Sequence, residues 1–210
     1  MKLSKYLVAG GNPTLLVFGK NINQKIIQKY LVKEVDQIGS IDLMQEIPVL
    51  TMMGNELCIN ATLCMAYFLK GAGVLKASGV NSKIRYLNDI LVATVIVDIP
   101  YQLTRKGLVL LGGIGFVESA LPYDLRTLCV DYNIPAFGAL NWDGKQINPL
   151  IYVKETNSTI RETACGSGSI AANLLYREET IRQPTGEDIK VVRKDNEFTV
   201  SANVKKVKLV

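Results

Sequence analysis

Residues 161–176 read RETACGSGSIAANLLY, and half a chain earlier residues 54–69 read GNELCINATLCMAYFL. Each stretch sets a cysteine, Cys165 or Cys58, directly before a largely apolar run that ends near Tyr176 or Leu69. A run that is apolar all round predicts a helix buried in the middle of its own half, because a surface helix keeps one polar face. Such a helix presents its N-terminus at one end of its domain. Laying CINAT (58–62) over CGSGS (165–169) puts the two cysteines in register, about half the chain apart, and predicts an internal duplication.

Working outward, TLLVFG (14–19) predicts a strand, and NQKIIQKYLVKEVD (23–36) predicts an amphipathic helix with Ile26, Ile27, Tyr30 and Leu31 on one side. IDLMQEIPVLTMM (41–53) reads as two short strands, and residues 73–100 read as strands separated by Gly and Asn-Asp turns. The second half repeats the plan. An apolar run, GLVLLGGIGFV (107–117), precedes a helix in PYDLRTLCVDY (122–132) and strands in AFGALNWDGKQINPLIYV (136–153). The tail, 188–210, carries a hairpin turn near Lys194 to Asn196. The expectation is an α/β (α+β) chain of two similar domains, 1–103 and 104–202, with a strand near 203–210 returning to the first.

A chain of 210 residues that is 48% hydrophobic can bury real cores, and 20% charged residues without a low-complexity tract exclude disorder. The net charge of +5 favours an anionic substrate, although the lysines and arginines are scattered. The basic VKKVKLV (204–210) reads as a solvated strand or tail and not as a nucleic-acid patch. Gly10, Gly11 and Pro13 break the apolar start, unlike a signal peptide, and ILVATVIV (90–97) is too short to span a bilayer. The expected location is the cytoplasm. Four cysteines without CxxC spacing, in a chain with no histidine, point away from a metal site, and Cys64 and Cys129 read as small buried hydrophobes.

Helix N-termini offer unpaired N–H groups and the positive end of the macrodipole, which attract a carboxylate and lower the pKa of a thiol placed there. Two such starts facing one cleft suit removal and return of the proton beside a carboxylate, one cysteine as thiolate and the other as thiol. On the residues alone, two structural cysteines remain an equal alternative. Glu56 and Glu162 read either as acids complementing a helix dipole or, for Glu162 in particular, as a ligand. Asn12 in GGNPT reads as a turn residue. GGIG (112–115) is no dinucleotide fingerprint, since Glu118 stands where the last glycine belongs, and the serines beside Cys165 cannot form a triad without histidine.

These motifs resemble a known family. ETACGSGSIAA (162–172) resembles the ACGTG-type motif of the diaminopimelate epimerase superfamily. ELCINATLC (56–64) matches its E-x-C-G-N-G-x-x-C segment with Ile59 at a glycine position, and GGNPTLLVFG (10–19) resembles its N-terminal GND motif. The similarity is closer to the histidine racemases of opine-type metallophore biosynthesis within that superfamily. It runs through SKYLVAGGNPTLLV (4–17), MMGNELCINATL (52–63), PLIYVKETNSTIRETACGSGS (149–169) and RQPTG (182–186), while the region from about 100 to 145 is shorter here.

The resemblance implies a diaminopimelate-epimerase-like fold of two pseudo-symmetric domains, each a curved sheet wrapped around a central helix, with the active site in the cleft between them. It implies a two-base amino-acid racemase or epimerase that needs no cofactor. Carried over, Cys58 and Cys165 are acid and base, Asn12 and Asn60 contact substrate, and amides near Ile59, Asn60, Gly166 and Ser167 hold the α-carboxylate. Glu155 and Glu162 match acidic positions, one of which binds the substrate ammonium. The partner implied is a small amino acid, with neither nucleic acid nor membrane, and a homodimer is the assembly to test.

Departures set the expected specificity. ETNSTIR (155–161) replaces the family's glutamate-arginine-glycine stretch, and Met52 and Met53 are apolar where diaminopimelate's distal carboxylate would need partners. The implied substrate has a neutral or weakly basic side chain, with histidine first. Ile59 narrows the carboxylate site, and GGIGFVE (112–118) lacks the family's second GN motif. A one-base isomerase or dehydratase of the same fold, and an inactive amino-acid-binding homologue, are the competing readings.

Overall fold

The structure is a computed structural model that describes residues 2–19, 24–31, 34–104, 107–118 and 124–209. Strand β1 (Lys2–Val8) buries Ser4, Tyr6 and Val8 in the two-residue alternation of a half-buried strand. It turns back into β2 (Gly11–Phe18), and α1 (Gln24–Tyr30) crosses over to the parallel strand β3 (Gln37–Asp42). Residues 23, 32 and 33 of the helix expected over 23–36 lie outside the described residues, and so do 122 and 123 of that expected over 122–132. After β4 (Val49–Met52), α2 (Ile59–Leu69) crosses over to the parallel β5 (Ala72–Ala77), which β6 (Ile84–Asn88) and β7 (Val92–Asp98) follow as a meander.

The second stretch runs through β8 (Gln102–Leu103), β9 (Leu108–Leu111), β10 (Ile114–Glu118), α3 (Leu125–Asp131), β11 (Ala136–Trp142), β12 (Ile147–Val153) and β13 (Ser158–Arg161). Helix α4 (Gly166–Tyr176), β14 (Thr180–Arg182), β15 (Asp188–Lys194) and β16 (Glu197–Val207) complete it. The hairpin expected near Lys194 to Asn196 is there, with Asp195 in the left-handed region at φ 55°.

The long strand β16 decides the architecture. Residues Glu197–Asn203 pair with β7, and Val204–Val207 pair with β1, so β1 to β7 and β16 close into an eight-stranded barrel. Strands β15 and β14 extend the same sheet beyond β16, whereas β8 to β13 form a separate six-stranded sheet, open at both edges. This corrects the expectation of two pseudo-symmetric α/β domains, each a curved sheet wrapped around a central helix. The molecule is mostly sheet, its two sheets are unequal, and the four helices among the described residues have only 7 or 11 residues. The order of elements does repeat, since the hairpin, crossover helix, parallel strand, antiparallel strand, second helix and three-strand meander of β1 to β7 recur in β9 to β12, α4 and β14 to β16. The sheets differ because β16 draws β14 and β15 into the larger one and leaves the second stretch without a closed ring of its own.

One apolar core joins both sheets, and two smaller clusters lie under α1 and α3. Cys64 and Cys129 are fully buried in these cores. Helix α2 packs on β1 to β4, β6, β7 and β16, and α4 packs on β9 to β12 and on β14 to β16. The Gly112-Gly113 turn between β9 and β10 presses on Gly79, where a Cβ on Gly113 would lie 2.8 Å from the Gly79 Cα. That contact leaves no room for a side chain, which accounts for GGIG without a nucleotide. No helix among the described residues is long and apolar enough to cross a membrane.

Candidate active site

The starts of α2 and α4 are built alike. Cys58 and Cys165 are the N-caps, both extended (φ −126° and −143°), and each sulfur accepts a hydrogen bond from the N–H three residues on, Ala61 at 3.3 Å and Gly168 at 3.2 Å. The hydroxyls of Thr62 and Ser169 then donate to the carbonyls of Cys58 and Cys165, both at 2.7 Å. A thiol thus does at these caps what a serine or aspartate usually does. A cap side chain must sit at the helix end, so both sulfurs are delivered to the same kind of place.

The two ends are also tied to each other. Asn60 Nδ2 donates to the Ala164 carbonyl and its Oδ1 accepts from the Gly166 N–H, both at 2.9 Å, while Ser167 Oγ donates to the Leu57 carbonyl and accepts from the Ile59 N–H, both at 3.4 Å. These bonds use up the first N–H of each helix. The N–H groups of Asn60 and Ser167, one per helix, have no hydrogen-bond partner among the described residues, as the first turn of a helix leaves its donors open. The Ile59 side chain rests on Gly166, where any Cβ would lie 2.6 Å from Ile59 Cγ2.

Both cysteines line one cavity of about 30 Å³, room for about two water molecules. Asn60, Gly166 and Ser167 share its polar wall with Gln37, Asp36, Glu56 and Glu162, and Met53, Leu57, Ile114, Ile151, Val153 and Ile160 form the apolar wall. Of the residues expected at the site, Asn12 lies behind Gln37 and does not line the cavity, and Ile59 points into the packing between the helices. Glu155 is exposed on the turn after β12, in a surface depression with Gly54, Asn133 and Lys154.

Three of the lining residues are carboxylic acids and none is lysine or arginine, so the positive net charge of the chain is not concentrated at this cavity. Burial pushes Glu162 up to about 8, Glu56 up to about 7 and Asp36 up to about 6. Desolvation penalises the charged form, and hydrogen bonds, including that from the Gly54 N–H to Glu56 at 2.9 Å, only partly offset it. The thiols follow the same rule. Burial first, and then the charge of Glu162, push both Cys58 and Cys165 well above the ordinary thiol range, against the lowering expected of a helix start. The amide bonds to sulfur do favour the thiolate, but in this closed cavity desolvation outweighs them.

Sequence reasoning missed Gln37, Asp36 and Gln183. Gln37 opens β3 and its Oε1 accepts a hydrogen bond from the Cys58 thiol at 2.8 Å, while its Nε2 donates to Asn12 Oδ1 and, at 2.8 Å, to Thr14 Oγ1. Gln183, fully buried just past β14, accepts from the Cys165 N–H at 2.8 Å and donates to Ser169 Oγ and the Ile181 carbonyl at 3.0 and 2.8 Å. The polar pair Asp36-Gln37 at the head of β3, ahead of Ile38, is the one local signal that marks the first of these.

No family model matches the chain. It is similar to a histidine racemase from Staphylococcus aureus (strain Mu50 / ATCC 700699), 24% identical over an alignment of 258 residues that covers 98% of this chain and 93% of that protein. In structure it is similar to a PhzF-family phenazine biosynthesis protein from Enterococcus faecalis (TM-score 0.55, 14% identity, 99% of this chain and all of that one). A putative phenazine biosynthesis PhzC/PhzF protein from Clostridium difficile (strain 630) gives a TM-score of 0.53 at 12% identity, over 98% of this chain and 97% of that one. At such identities the structural likeness is one of fold.

Proposed function

We propose that the protein is an amino-acid racemase or epimerase that inverts the α-carbon with two cysteines and without a cofactor. The observation that carries this reading is the meeting of two thiol-capped helix starts at one cavity. Similarity to a protein named histidine racemase supports the reaction class.

In this reading the substrate carboxylate lies on the free N–H groups of Asn60 and Ser167. One cysteine, as thiolate, takes the α-proton. The electron pair left on the α-carbon spreads into the carboxylate, where the two amides and helix dipoles stabilise it, and the opposite thiol delivers a proton to the other face. The enzyme ends with its two protonation states exchanged. Glu162, Glu56 and Asp36 face the α-ammonium and any positive side chain; that charge would replace the lost hydration and draw the carboxylates back to their ionised form. A weakly basic imidazole suits such a wall, which makes histidine the first substrate to test. The cavity as it stands is too small for any amino acid, so substrate enters only when its walls part.

The test is α-proton exchange in deuterated buffer across the L-amino acids, read by mass spectrometry and chiral chromatography with no cofactor added. Exchange with inversion is expected for histidine or another amino acid with a basic side chain. Exchange with full retention would replace this reading with one-base chemistry, and no exchange with any amino acid would sink it.

A further inference from the structure

Each reactive cysteine has a buried glutamine behind it, and the two glutamines do different things. Gln183 turns its amide to the backbone N–H of Cys165 and leaves the sulfur alone. Gln37 turns its Oε1 to the sulfur of Cys58. We propose that Gln37 is a positioning residue that holds Cys58 as the protonated thiol in the resting protein, which leaves Cys165 as the cysteine that acts as base.

The argument rests on hydrogen-bond polarity. An amide oxygen accepts from S–H and repels a thiolate, so a Cys58 thiolate would require Gln37 to present Nε2 instead. Gln37 is not free to turn, because its Nε2 is committed to Asn12 Oδ1 and Thr14 Oγ1. Turning it would set Oε1 against the Asn12 oxygen unless Asn12 turned as well. Asn12 Oδ1 also accepts from Thr14 Oγ1 at 3.2 Å, so the oxygen that Gln37 faces is held from a second side. All three of Asn12, Thr14 and Gln37 are buried, where opposed acceptors are costly.

The acceptor beside Cys165 is of a different kind. Its sulfur accepts from the Gly168 N–H, and the Glu162 carboxyl bonded to it favours the thiol when ionised but donates to the sulfur when protonated, so it does not fix the proton as an amide oxygen does. The ionisable groups facing Cys58 are Glu162, Glu56 and Cys64; those facing Cys165 are Glu162 and Cys58, and Asp36 acts on Glu162. Glu162 therefore acts on both thiols, and Gln37 on one. The inference rests on the reading of these cysteines as an acid–base pair and assigns their resting states. The enantiomer whose α-hydrogen faces Cys165 is the one the resting enzyme can turn over, after which one proton must pass from Cys165 back to Cys58.

Competitive alkylation tests it without any substrate, so failure of the racemase reading leaves the result unaffected. The protein is treated with iodoacetamide at pH 8, and the Cys58 to Cys165 modification ratio is read by peptide mass spectrometry. Entry of reagent to the shared cavity cancels in the ratio, and loosening confined to Cys58 would raise the ratio in both Gln37 variants, which the opposite directions expected of them exclude. Gln37→Leu removes the acceptor, and the ratio is expected to rise about five- to tenfold, the value of one hydrogen bond. Gln37→Glu keeps the shape and adds charge, and the ratio is expected to fall below that of the native protein. An unchanged ratio, or a move in the same direction in both variants, overturns the proposal. If Gln37→Leu does not fold, Gln37→Glu decides alone, and a ratio that does not fall is the refuting result.

Discussion

The paired thiols carry the sharpest expectations. If Cys58 and Cys165 are acid and base, Cys58→Ser and Cys165→Ser should each lower the rate of α-inversion by roughly 10²- to 10⁴-fold. A chiral assay that finds either single variant near the native rate would remove the two-base mechanism. Glu162 governs how stability responds to pH. Its carboxyl titrates near 8 in the folded chain against an ordinary 4.5, so between those values the folded protein holds a proton that the unfolded one releases. That contribution is complete below about pH 4.5 and is lost as pH rises through 8. Glu56 and Asp36 act in the same direction over windows that close near 7 and 6. The ligand-free Tm should therefore fall from pH 5 to pH 8. In Glu162→Gln the fall should level off near pH 7, which differential scanning fluorimetry can follow. A Tm that climbs over this range would mean that the acids are ionised and paired.

At the level of elements, α2 and α4 meet through side chains that are tight against each other. Gly166→Ala would bring a methyl to 2.6 Å from Ile59 Cγ2 and 3.0 Å from Asn60 Oδ1, an overpacking expected to cost about 1–3 kcal/mol. Adding Ile59→Ala should recover part of that loss, because the clash and its cause lie in one contact. A denaturation cycle that shows the two changes simply additive would deny the contact. The same pair speaks to specificity. Ile59 stands where the resembled motif has glycine, and the structure shows it spent on packing against Gly166 instead of on the cavity wall.

For the whole molecule, the barrel depends on one strand. Residues Val204–Val207 of β16 make the seam with Lys5–Val8 of β1, and Val204 is also part of the main core. A chain ended at Asn203 should lose about 3 kcal/mol or more from unpaired ladder bonds and exposed apolar surface. Its β1 amides should lose protection from hydrogen exchange before those of β11 and β12. Uniform loss of protection in both sheets would show instead that the two unfold as one unit.

What the sequence determined by itself was local. An all-round apolar run marks a buried helix, a cysteine at its head marks the cap, and alternation or a turn residue marks most strands and the hairpin at Asp195. Each of these signals is complete within a dozen residues. Pairing is not. Nothing in residues 188–210 alone says that β16 bonds to β7 along one half and to β1 along the other, and that choice alone made one sheet a barrel and left the other open. The same holds at the site. Gln37, Asp36 and Gln183 reach the cysteines only through the fold, from 21, 22 and 18 residues away, and no spacing announces them. The upward shift of the two thiols was likewise invisible, since the helix start that lowers a thiol pKa is encoded next to it. The burial that raises it is the sum of residues brought in from both sheets.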